Sequence, residues 1–115
     1  MWHDSNAFPG VRYALRRLSL ARRIELTESA RDLCRQYEFL KSGDATDQLE
    51  ASLSDLLVRK LYLVWGLAEI SGMRIDGQPA TVESLIQCGP DELADEIIKA
   101  IRSEIGLTED ERKNS

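Results

Sequence analysis

The chain has 115 residues, 43% of them hydrophobic and 30% charged, which suits one globular domain and excludes a disordered or fibrous chain. Its net charge of −5 repels nucleic acid as a whole, and its longest apolar run, Leu61 to Ala68, falls well short of the ~18 residues a membrane span needs. The charge is uneven: residues 1–43 hold 8 Lys/Arg against 5 Asp/Glu, residues 44–115 hold 7 against 15, so a basic third precedes an acidic remainder.

Residues 1–10 show no periodicity and end on the turn signal Phe8-Pro9-Gly10, so a flexible N-terminus is expected. They carry no apolar run of a secretory leader either, which points to a cytoplasmic protein. Val11, Tyr13 and Leu15 then alternate with Arg12, Ala14 and Arg16, a period of two that predicts a short strand. Ser19 is a good N-cap for a helix over about 20–42. The stripe Leu20, Ile24, Thr27, Ala30, Cys34, Tyr37 and Leu40 is expected to be its buried face, and Gly43 its C-terminal stop. A second long helix, capped by Asp44 or Thr46, is expected to reach Ser71 and stop at Gly72. Leu49, Leu53, Leu56 and Leu57 form its apolar side in the first half, whereas Leu61 to Ala68 is apolar all round. Asp76-Gly77 is a strong two-residue hairpin signal and Pro79 suits only an edge strand, so a small hairpin follows. Thr81 caps a short helix over about 82–87, stopped by Gly89. Pro90 suits the first position of a last helix that carries Leu93, Ile97, Ile101 and Ile105 at steps of four and ends at Gly106. The expected fold is mainly α, with two long antiparallel helices, two short helices, a short N-terminal strand and a small hairpin. One domain over 11–106 lies between the flexible N-terminus and a flexible tail over 107–115.

Residue chemistry offers little for catalysis. The single histidine, His3, falls in the expected flexible terminus, and one histidine with two scattered cysteines makes no zinc site. Cys34 and Cys88 read as small buried hydrophobes in a reducing compartment. Asp91, Glu92, Asp95 and Glu96 read as a solvated acidic face at a helix start. A non-enzyme without metal or cofactor is therefore expected. Arg16, Arg17, Arg22 and Arg23 lack the interleaved aromatics of a nucleic-acid surface and read as solvated charge or as a patch that steers acidic protein partners. The block Leu61–Ala68 has two open readings. It is either wrapped completely by the fold, or one side of it faces a partner through Tyr62, Val64 and Trp65, of which Tyr62 and Trp65 are anchor types at interfaces. Gly66 inside a helix costs about 1 kcal/mol against alanine, which close approach of another element would offset.

The run Tyr62-Leu63-Val64-Trp65-Gly66-Leu67, followed by Ile70-Ser71-Gly72, Ile75-Asp76-Gly77-Gln78-Pro79-Ala80-Thr81, Glu83 and Leu85-Ile86, resembles the tail assembly chaperones of long-tailed bacteriophages. Leu18 to Leu26 is similar to their strand-to-helix passage, and the likeness covers about residues 11–106. The resemblance implies a non-enzymatic protein of the bacterial host cytoplasm that binds the tape-measure protein and tail-tube subunits during tail assembly. It also leaves room for self-association. It implies no binding residues, because Gly72, Asp76, Gly77 and Pro79 punctuate the fold. The rivals are a small acidic phage protein that inhibits a host nucleic-acid-binding protein, and a structural connector or tail-completion protein. Thr108 to Glu111 matches a capping box just before the sequence ends. In the family it resembles, a fraction of ribosomes slip by −1 near the end of the gene, and Arg112-Lys113-Asn114 is compatible with the heptamer A AAA AAC; the tail reads either as an ordinary polar end or as a slippage site leading into a longer product, and codon choice decides between them.

Overall fold

The computed structural model describes residues 2–37 and 45–106. The elements run β1 (Trp2–Asp4), β2 (Arg12–Leu15), α1 (Leu20–Tyr37), α2 (Ala45–Gly66), β3 (Leu67–Ser71), β4 (Arg74–Ile75), β5 (Gln78–Pro79), α3 (Val82–Cys88) and α4 (Asp91–Glu104). The protein is mainly α. The expectations for Leu40, Gly43, Asp44 and the tail 107–115, with its capping box and slippage site, lie outside the described residues.

One three-stranded antiparallel sheet has the order β1-β2-β3, with Tyr13 opposite both His3 and Ile70. β2 is the central strand, and Tyr13, Ala14 and Leu15 are buried. The alternation read from the sequence therefore has its inner side in the core. The flexible N-terminus expected over 1–10 is corrected: residues 2–4 form β1, and His3 stacks on Tyr13 with ring centroids 5.4 Å apart. Three residues of weak pattern become a strand because β2 offers them a free edge.

α1 starts where Ser19 caps it, the Arg22 N–H donating to Ser19 Oγ at 3.2 Å. Of the expected buried face, Ala30 is buried as read, but Leu20, Ile24 and Cys34 are not. Leu26 and Ala30 are buried and Leu33 packs against the core, whereas Leu20 and Ile24 are exposed, at 67% and 49%. Both series repeat at helical spacing. The neighbours decide between them: the hydroxyl of Ser54 donates to the Leu33 carbonyl at 3.1 Å, which turns that side of α1 to α2. Cys34 thus lies on the outer side, and both cysteines are exposed, not buried as expected.

α2 ends at Gly66, five residues before Ser71, its expected last residue. Leu67 to Ser71 leave the helix to pair with β2, so two residues of the all-apolar block serve the sheet. Its expected apolar side is also displaced. Ser54, Val58, Tyr62 and Leu63 are buried, while Leu49, Leu53, Leu56 and Val64 are exposed. Gly66 is a close-approach site: a Cβ there would lie 2.7–2.8 Å from three side-chain atoms of Ile101.

The hairpin forms as expected. Ile75 pairs with Gln78, and Asp76 and Gly77 have φ of 53° and 79°, the double positive φ of a type I′ turn. Pro79 lies on the exposed two-stranded ribbon. Thr81 caps α3 reciprocally: the Ser84 N–H donates to Thr81 Oγ1 at 3.1 Å, and the Thr81 N–H to Ser84 Oγ at 2.8 Å. Pro90 is the N-cap of α4 and not its first residue. Leu93, Ile97 and Ile101, buried as the spacing of four requires, join Leu26, Leu67 and Leu85 as the most fully enclosed large side chains.

Glu96 closes the molecule. Its carboxylate accepts from the Ser5 hydroxyl at 2.9 Å and from the N–H groups of Asn6 and Ala7 at 3.0 and 3.1 Å. The solvated acidic face expected here is corrected for Glu96, which clamps the N-terminal segment to α4, and for Asp95, which pairs with Arg59. Burial works against the charge on Glu96, but the donors from Asn6, Ala7, Ser5 and Tyr13 outweigh it and hold the carboxyl below the usual glutamate range. Burial also pushes the Tyr13 hydroxyl up, and the charge of Glu96 adds to that. A carboxyl depressed in the fold stabilises above its unfolded pKa, near 4.3, and loses that contribution as pH falls through its folded value. Glu96→Gln is therefore expected to lower stability at pH 7 by about 1–2 kcal/mol, and the gap from the parent should close in acid below pH ~4. Urea unfolding of both proteins across pH checks this; a gap that does not change with pH would refute the clamp.

Candidate partner-binding surface

The outward side of α2 and the adjoining side of α3 form a groove. Arg16, just past β2, is fixed at its rim because its N–H donates to the Gly66 carbonyl at 2.7 Å. Leu67 lines the groove with Val64 and Lys60 from α2 and Val82 and Ile86 from α3, around a depression of about 430 Å³. A second depression of about 270 Å³ shares Lys60 and Ile86 and adds Leu56, Leu57 and Leu63. The two depressions adjoin at Lys60 and Ile86, with Arg16 and Lys60 bordering the first and the carboxylates Glu83 and Asp91 also among the lining residues.

The expected contact residues separate. Val64 is half exposed and lies in the groove. Tyr62 is buried, with the Arg102 guanidinium 5.2 Å from its ring, and is not available to a partner in the folded chain. Trp65 is partly buried and packs against the core, with Arg22 4.2 Å over its ring. It is a core-edge residue covered by a cation and not the fully wrapped ring of the core reading.

The four arginines do not form one patch either. Arg16 and Arg17 border a separate cavity with His3 and Glu104. Arg22 is held by Trp65 and by an ion pair with Glu25 at 3.0 Å. Arg23 lies along the Leu20–Ile24 side of α1 with Ile105, and its Nε is buried with no hydrogen-bond partner among the described residues. Arg16 alone stands at the groove, joined by Lys60, which the arginine cluster in the sequence did not indicate.

Family models, curated proteins and solved structures yield no match to this chain. Among the described residues, no three His, Cys, Asp or Glu side chains are grouped to hold a metal ion, and no helix is long and apolar enough to cross a membrane.

The groove was partly legible in the sequence. Val64 stood out inside an apolar block too long for one buried face. Val82 and Ile86 did not, because a seven-residue helix carries too little pattern to separate an inner from an outer side. A largely apolar groove bordered by Arg16 and Lys60, with Glu83 also in its lining, can take the apolar face of an amphipathic helix whose acidic residues lie toward Arg16 and Lys60.

Proposed function

We propose that this chain is a non-enzymatic tail assembly chaperone of a long-tailed phage, acting in the cytoplasm of the bacterial host. It shields apolar helical segments of the tape-measure protein, and contacts tail-tube subunits, until the tail is built. The observation that carries the proposal is the exposed apolar groove beside α2, with Val64 and Ile86 in it and Arg16 and Lys60 at its rim. The family likeness of the sequence supports it independently. The finer architecture that belongs with this reading is an antiparallel pair of long helices. Contact of Arg22 with Trp65 and of Leu33 with Ser54 supports that direction, since one number rises as the other falls. An acidic inhibitor of a nucleic-acid-binding protein is less well supported, because Asp95 and Glu96 are engaged within the fold.

Co-expression with the tape-measure protein of the same genome tests the function. The tape-measure protein is expected to move into the soluble fraction with the parent chain and to stay insoluble with Val64→Asp or Ile86→Asp, provided the variants keep the parent's circular dichroism. Arg16→Glu should weaken the rescue and reduce its sensitivity to salt. A tape-measure protein left insoluble by the parent chain would overturn the proposal.

A further inference from the structure

The outward face of α2 carries an apolar stripe, of which Leu56, Lys60 and Val64 also line the groove described above. Leu49, Leu53, Leu56, Lys60 and Val64 recur at steps of four, three, four and four, which places them along one side of the helix. Leu49, Leu53, Leu56 and Val64 are exposed at 71%, 43%, 56% and 49%. Stacked apolar residues of this kind are the usual mark of an interface and not of a solvated face. Charge along the helix is polarised. Glu50 and Asp55 lie in the N-terminal half, and Arg59 and Lys60 in the C-terminal half.

We propose that the Leu49–Leu53–Leu56 stripe is covered by a second copy of this chain, packed α2 against α2 in antiparallel sense about a two-fold axis. A two-fold contact must be self-complementary, residue for residue in both directions. The antiparallel arrangement meets that requirement: it sets Leu53 of one copy against Leu56 of the other, and Glu50 beside Lys60 in both directions. A parallel pairing would place Glu50 on Glu50 and Lys60 on Lys60. The stripe from Leu49 to Val64 is about 22 Å long at 1.5 Å per residue. One helix pair of that length lies at the low end of specific interfaces, so the dimer forms reversibly in the micromolar range. The dimer follows from α2 alone and not from the client reading, and because Leu56, Lys60 and Val64 belong to both surfaces, a second copy and a client helix would compete for the C-terminal half of the stripe.

Sedimentation equilibrium of the full chain, without any other protein, tests it. A monomer–dimer equilibrium is expected between about 1 and 100 µM. Leu53→Asp and Leu56→Asp, both at exposed positions, should leave the chain monomeric with unchanged circular dichroism. Glu50→Lys alone should weaken the dimer at least tenfold, and Glu50→Lys with Lys60→Glu should restore it, which an antiparallel pairing alone predicts. A chain that stays monomeric to 100 µM, a dimer indifferent to both aspartates, or no recovery in the double charge reversal would each overturn the proposal. Loss of client rescue with the dimer intact would count against the proposed function and not against this interface.

Discussion

Gly72→Ala is expected to destabilise the fold by about 3 kcal/mol or more, since its added methyl group meets the closest backbone contact among the described glycines. Two causes act together. Gly72 has φ of +81°, a region that costs a residue with a Cβ about 1–2 kcal/mol. A Cβ at Gly72 would also lie 2.2 Å from the carbonyl oxygen of Gly10 and 3.4 Å from Cα of Val11. Neither atom belongs to a flexible side chain. The backbone leading into β2 would have to move away from the end of β3, and Arg12 pairs with Ser71 directly beside it. Gly77 separates the two causes. It has φ of +79° and nothing within 4 Å of the place a methyl group would take, so Gly77→Ala should show the conformational cost alone, about 1 kcal/mol. Denaturant unfolding of both variants checks the difference. Equal losses at the two sites would mean that the Gly10 contact contributes nothing.

The second large effect is expected at Gly66. Its neighbour is a side chain, Ile101, and that side chain is 1% exposed. A Cβ at Gly66 would meet Cδ1, Cγ1 and Cγ2 of Ile101 at 2.7–2.8 Å, so no rotation of the tip alone relieves the clash. Overpacking of this kind costs about 1–3 kcal/mol for small insertions, and replacing a helical glycine returns up to about 1 kcal/mol. Gly66→Ala should therefore lose about 1–2 kcal/mol, and Gly66→Val more, since its branches enlarge the overlap. Ile101→Val removes Cδ1 and should recover part of the loss in Gly66→Ala. In a double-mutant cycle the two substitutions should couple by at least about 0.5 kcal/mol. Strict additivity would show that Gly66 is required for some reason other than its contact with α4.

These two glycines also mark how far the sequence could be read. A glycine within an apolar helix already argued for close approach at Gly66, but its partner 35 residues on in the chain carries no local signal. Gly72 was legible as a stop and misread as the stop of a helix. The residues that mislead are Leu67 and Ala68, which continue the apolar run yet open a strand over Leu67–Ser71, because β2 presents an open edge. Local punctuation was read well. Ser19, Thr81 and Asp76-Gly77 do what their side chains or backbone preferences dictate within three or four residues. The sequence does not choose a face where two apolar series compete on one helix, as with Leu20–Ile24 against Leu26–Leu33 on α1, which share only Ala30 between them as a buried residue. Choosing between them requires knowing what lies opposite, and that is tertiary information. In the groove, Val64 was visible and Lys60, Val82 and Ile86 were not, for the same reason. Glu96 is the extreme case: the groups it binds, Ser5 to Ala7, lie far from it in sequence, near the opposite terminus.

The Glu96 clamp also orders the events of synthesis. Translation runs from the N-terminus, so Ser5, Asn6 and Ala7 leave the ribosome about 90 residues ahead of the carboxylate that will hold them. β2 likewise waits for β3, more than 50 residues downstream. The segment in between is mostly helix, whose contacts are local and form quickly. The nascent chain thus assembles its middle first, and the segment that emerges before it is among the last to find its place.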